Sequence, residues 1–181
     1  MARGRPEQRQ AFLTGAVDHV LGHGVSGFSL RPVAAALGTS DRMLLYYFGS
    51  RENLLHAVLD LVGDGLMTAL SEAVPTGRSR PGQLLRAVWS VSRDPAVEPV
   101  LRLYVEILGQ AAARVAPFPA AAARVGARWL EWAQDRLDVP ATEQEEAAAE
   151  LLAIVDGLLI LHLVVGRETA DRAAHRLLSR P

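Results

Sequence analysis

The chain has 181 residues, half of them apolar and 6% aromatic, with a formal net charge of −1 and no cysteine. Its length fits one domain, or a small head on a larger body, and the missing thiols exclude disulfides, thiolate zinc sites and a cysteine nucleophile. The charge is unevenly spread: six Arg against four acids in residues 1–55 give +2, leaving −3 for the rest, so the head is weakly basic and suited to an anionic partner.

Ala and Leu dominate, and both lose little rotamer freedom in a helix, so an all-α fold is expected. The N-terminal MARGRPEQRQ lacks the apolar run of a signal peptide. The most apolar stretch, Leu151 to Val165, is broken by Asp156, Gly157 and His162. A cytoplasmic protein without membrane contact is the expectation.

In chain order, Phe12, Leu13, Ala16, Val17, Val20 and Leu21 recur at helical spacing and predict a first helix over 7–22, stopped by Gly22 and Gly24. Ser29 is suited to cap a short second helix, Leu30 to Leu37, with Pro32 in its first turn. Ser40 caps a third, Asp41 to Tyr47, and Ser50 a fourth that reaches Ala73. Pro75 to Gly82, rich in turn residues, marks a loop. Helices then follow around Leu84 to Val91, from Pro99 through Leu108, over 120–137, from a Thr142/Glu145 capping box to Gly166, and over 168–179. Nine helices and no strand are predicted.

The second and third helices, joined by Gly38-Thr39-Ser40, meet the requirements of a helix-turn-helix. Ala34 permits close approach, Gly38 supplies the left-handed turn, and Val33, Leu37 and Leu44 share a core. The second helix of such a pair enters the major groove N-terminus first. Thr39, Ser40, Asp41, Arg42, Met43 and Tyr47 are therefore the expected readers or positioners: Arg42 for guanine, Met43 for a thymine methyl, Asp41 for a cytosine amino group. Arg3-Gly4-Arg5-Pro6 is suited to a minor groove or to an ordinary terminus.

Residues 9 to 55 resemble the TetR family of bacterial regulators in the order GHGVSGFS, LRPVAAALGTS, MLLYYFGSRENLL. The matching positions are Ala34, Gly38, Tyr46, Tyr47, Phe48, Ser50, Arg51, Glu52, Leu54 and Leu55. The resemblance implies a nine-helix fold with a DNA-binding head at 1–50 and a ligand-binding, dimerising body at 51–181. It also implies that Arg31, Tyr47 and Arg51 lie on the phosphate backbone; Ser29, at the start of the second helix, is a further candidate DNA contact. A departure occurs at Arg42-Met43-Leu44-Leu45: the family's usual phosphate-binding tyrosine falls on Leu45, which donates no hydrogen bond, so Tyr46 or Tyr47 must stand in.

Two other patterns fail on context. Gly22-His23-Gly24-Val25-Ser26-Gly27 spells a dinucleotide fingerprint but follows a helix, not a strand. His19 and His23 stand at ligand spacing, but Gly22 should end the helix between them and no carboxylate joins them. No cofactor, metal or catalytic set is expected, nor an enzyme.

Leu151, Ile154, Val155, Leu158, Leu159, His162 and Val165 lie in a helix apolar on nearly every face, which needs cover on all sides. A second copy is the simplest cover, and the resemblance implies the same pairing of the last two helices in a homodimer. Two heads related by a two-fold axis predict a palindromic double-stranded DNA operator. The resemblance further implies a pocket for a small-molecule effector within helices four to seven. Trp89, Tyr104, Glu106, Phe118, Trp129 and Trp132 are its candidate lining, with His162 from the eighth helix. The function expected is a ligand-released repressor; the alternative is a helical dimer that binds a small molecule or protein but not DNA.

Overall fold

A computed structural model describes residues 4–74 and 76–179. Arg3 of the N-terminal arm and Pro75 of the predicted loop lie outside the described residues. Nine α-helices account for most of the described residues, and an isolated pairing of Ser79 with Leu137 is the sole β-type contact described.

Helix α1 spans Arg5–His23. Pro6 sits in its first turn, where a missing N–H costs nothing, and Glu7 reaches back to accept from the Gly4 N–H at 3.2 Å. It outruns the predicted end because Gly22 is carried inside the helix; the chain turns only at Gly24, whose N–H bonds Val20 O at 2.8 Å. Helix α2 covers Leu30–Ala36. Ser29 before it is extended, as an N-cap should be, but its hydroxyl caps nothing. At the other end Gly38 adopts φ 62°, Thr39 N–H bonds Ala34 O at 2.9 Å and Gly38 N–H bonds Ala35 O at 3.2 Å. These two bonds form a Schellman closure, which consumes helix-end carbonyls while reversing the chain.

Helix α3, Asp41–Phe48, is capped by Ser40, whose Oγ accepts from Met43 N–H at 3.3 Å. Helix α4, Arg51–Ala73, is capped by Ser50, whose Oγ accepts from Asn53 N–H at 3.1 Å. Ala16, Val20, Val33, Leu44, Leu54 and Val58 are wholly excluded from solvent. Burying each larger aliphatic contributes about 1.5–3 kcal/mol, which lets these short helices hold a fixed geometry.

The remaining helices are α5 (Pro81–Ser92), α6 (Glu98–Ala112), α7 (Phe118–Arg136), α8 (Gln144–Ile160) and α9 (Arg167–Leu178). The Thr142/Glu145 capping box does not form. Pro140, with φ −53°, starts a single tight turn over Ala141–Glu143, and α8 begins behind it with no side-chain cap. Past Ile160 the helix widens into a π-helical segment, Leu161–Val165, closed by the Gly166 N–H to Leu161 O bond at 2.8 Å.

The chain divides into two compact units. One holds the described residues through Gly65 together with Glu106–Ala122. The other holds Leu66–Val105 and the described residues from Ala123 onward. The head expected at 1–50 is thus joined by the first part of α4 and the α6–α7 turn, because Leu54, Leu55 and Val58 complete its apolar centre. In the second unit Leu84, Val88, Trp129, Ala133, Leu137, Leu151, Leu158 and Ala170 form the middle of a continuous core.

Candidate nucleic-acid interface and effector cavity

Helix α3 turns Leu44 and Phe48 inward and leaves Asp41, Arg42, Met43, Leu45 and Tyr46 exposed. Tyr46 is 57% exposed and Met43 39%, unusual values for large apolar side chains. Tyr47 is half-buried, its ring meeting Phe12 edge-on at 5.3 Å and Tyr46 at 5.1 Å. The guanidinium of Arg5 lies 4.8 Å above the Tyr46 ring and that of Arg9 4.8 Å above Phe48. Two arginines from α1 therefore flank α3 beside Arg42, and Arg31 is exposed on α2. Arg9 is the residue the sequence reading missed: its spacing marked the polar side of a helix, not which neighbour that side meets.

Ser40 and Thr39 stand at the entry to α3, exposed and half-buried respectively, and Ser29 is half-buried. Arg51 is exposed and is also tied within the head. Its Nη1 donates to Phe28 O at 2.8 Å and its Nε to Glu52 at 3.0 Å, so the guanidinium ties the loop before α2 to the start of α4. Glu52 in turn is held below the ordinary carboxylate range by its own helix N-terminal amide and by Arg51.

Glu106 is the clearest correction among the candidate pocket residues. Its carboxylate accepts from the Val25 N–H at 3.0 and 3.1 Å and from the Ser26 N–H at 2.7 Å. Gln110 adds a bond from Nε2 to Ser26 Oγ at 3.2 Å. Gly24, at φ 78°, leaves the space: a Cβ there would stand 2.6 Å from a Glu106 oxygen. The acid is spent on satisfying amides of the α1–α2 turn, within the first unit. Phe118 belongs to that unit too and is buried in its packing.

The second unit contains a narrow cavity of about 30 Å³, space for a water or two. Its walls come from α4 (Leu66, Leu70), α5 (Val88, Ser92), α6 (Leu101, Tyr104), α7 (Val125, Trp129) and α8 (Leu152, Val155, Asp156, Leu159). Tyr104 and Trp129 are thus the two predicted residues that line it. Trp132 packs beside Trp129 and donates to Ser71 Oγ at 3.1 Å; Trp89 is buried with its ring edge-on to His162 at 6.1 Å. Asp156 was legible only as an interruption in an apolar run, and it is the single charged group in the lining. Tyr104 OH donates to Asp156 Oδ1 at 3.1 Å. Burial pushes the Asp156 carboxyl above its ordinary value, partly opposed by that hydrogen bond. Burial, and then the neighbouring carboxylate, push the Tyr104 phenol up as well.

Residues 13–58 match the family model described as bacterial regulatory proteins, tetR family. Over 159 residues, 85% of this chain and 81% of the relative, the sequence is 28% identical to the HTH-type transcriptional regulator BetI of Burkholderia cenocepacia. The chain thus resembles the TetR family, in sequence over most of its length and most specifically in its head. A transcriptional regulator from Rhodococcus sp. Rha1 shares its fold with a TM-score of 0.74 at 23% identity, covering 94% of this chain and 93% of that one. AibR, solved in complex with isovaleryl coenzyme A and operator DNA, shares the fold at TM-score 0.60 and 18% identity, with 94% and 95% covered.

The chain is accordingly similar to helix-turn-helix transcriptional regulators of that family. Its α8 does not present the face expected for dimerisation. Leu151, Val155, Leu158 and Leu159 are buried against the chain's own helices, Ile154 and His162 are half-buried, and Val165 alone of the predicted set is exposed, at 62%. The uncovered apolar surface sits later, at Ile160 (46%), Val164 (71%) and Val165. Widening into a π turn shifts these side chains off the stripe that straight helical spacing predicts. The most apolar window of Ala141–Val165 has mean hydropathy 2.2, yet only 28% of it is buried within one chain.

Proposed function

We propose that this regulator is a cytoplasmic, dimeric repressor that reads a two-fold DNA operator through α3 and leaves it when a small molecule enters the cavity of the second unit. The observation that carries this reading is the exposed face of α3 with Arg5, Arg9 and Arg42 around it. Apolar side chains left in water beside arginines suit a groove that offers phosphates at its rims and methyl groups on its floor. Thr39, Ser40, Asp41, Arg42, Met43, Tyr46 and Tyr47 then face the major groove, with Ser29, Arg31 and Arg51 toward the backbone. The functional division assigned is residues 1–50 for DNA and 51–181 for ligand and dimer.

Ile160, Val164 and Val165 favour a second copy as the cover for α8, since a two-fold contact buries the same apolar side chains from both chains at once. For release, the ligand must differ in affinity between two arrangements. The cavity as it stands holds a water or two, so any larger occupant spreads its walls. Leu66 and Leu70 lie on α4, the same helix that begins with Arg51 in the head.

Retardation of DNA fragments by the full-length protein tests the reading. Specific binding to an inverted repeat, weakened by salt, is expected. No binding at low salt would favour a helical dimer without DNA affinity, for which the exposed Leu45 in place of a hydroxyl donor is the supporting observation.

A further inference from the structure

The cavity lining contains one acid and no arginine or histidine. Ser92, the other small polar group there, donates to Val88 O at 3.0 Å. Tyr104 is the one hydrogen-bond partner of Asp156 among the described residues, and it serves Oδ1, leaving Oδ2 without a donor. Leu152, Val155, Asp156 and Leu159 share one face of α8 at helical spacing, so the carboxylate is set among aliphatic side chains with Trp129 and Tyr104 opposite. A half-buried carboxylate in apolar surroundings is costly, and a mobile cation would relieve that cost. Aromatic faces add attraction for the same charge.

We infer that the effector is a lipophilic protonated amine whose N–H bonds Asp156 Oδ2 while its apolar part displaces the walls formed by Leu66, Leu70, Trp129 and Leu159. The inference rests on the cavity being the effector site and names the chemistry that site selects. A neutral ligand would leave the acid unpaired, and an anion would stand against it. The amine donates a hydrogen bond to a group otherwise served by Tyr104 alone, and its apolar part exceeds a cavity of about 30 Å³, so binding requires the walls to part.

Calorimetric titration of the full-length dimer with benzylamine, benzyl alcohol and benzoate, of matched shape and different charge, tests this. Benzylamine should bind about tenfold or more tighter than benzyl alcohol, the scale of one charge-assisted hydrogen bond, and benzoate should not bind. Asp156→Asn should lose that preference while keeping its affinity for the alcohol. Tyr104→Phe, which frees Oδ1, should retain or strengthen amine binding. Equal binding of amine and alcohol, or unchanged amine binding by Asp156→Asn, overturns the inference and leaves the cavity as an effector site. Absence of binding by all three probes overturns both.

Discussion

Helix α3 and the end of α8 both leave large apolar side chains in water: Met43, Leu45 and Tyr46 on one, Ile160, Val164 and Val165 on the other. Their company differs. Arg5 and Arg9 stack on the aromatic rings of α3 and Arg42 lies within it, whereas Gly157 to Gly166 contains neither an arginine nor a carboxylate. Exposed apolar surface ringed by cations suits a polyanion with apolar floor groups, and exposed apolar surface without charge suits another apolar surface. Equal exposure therefore points to different partners once charge is counted.

The largest expected effect comes from breaking the second surface. Val164→Glu with Val165→Glu should raise the dimer dissociation constant by roughly a hundredfold or more, since it would bury unpaired charge; sedimentation without detergent reads this directly. Leu45→Glu, placed on α3 instead, should leave the dimer intact and abolish DNA retention. If the two variants exchanged phenotypes, the assignment of partners to surfaces would be reversed.

Next in size, Arg42→Ala should cost about 1–3 kcal/mol of operator affinity and relax preference at one base pair. Binding isotherms on the selected operator and on singly substituted versions measure both. Glu106→Gln should lower stability by about 1–3 kcal/mol, because a neutral amide serves two backbone N–H groups less well than a carboxylate; thermal unfolding checks this.

The smallest effect concerns Asp156. Its folded-state carboxyl is raised, so protonation stabilises the fold at pH below the ordinary carboxylate value, and that contribution is lost as pH rises through the raised one. Near neutral pH Asp156→Asn should therefore unfold slightly later than the parent on heating, with the difference closing on acidification. A parent more stable than the variant at neutral pH would mean that the carboxylate is better solvated than its surroundings indicate.

Much of this was legible in the sequence where local rules act alone. Ser40 and Ser50 cap the helices assigned to them, Gly38 turns the chain, and Leu44 faces the core, because each depends on neighbours within a few residues. The failures lie where distant residues meet. Glu106 looked like a free acid for a pocket, but the amides that claim it are eighty residues away in sequence. Leu151, Val155, Leu158 and Leu159 share a pattern with any apolar helix, and periodicity does not say which side one's own chain covers. Asp156 was visible as an anomaly in an apolar run, but its meaning required Tyr104, on another helix.

Sequencing the fragments that the full-length protein retains from a random DNA pool at low salt tests the assignment of α3 most directly. The expected result is enrichment of an inverted repeat, with preference at one position per half-site relaxed by Arg42→Ala. Retention without enrichment, or no retention at all, would contradict it.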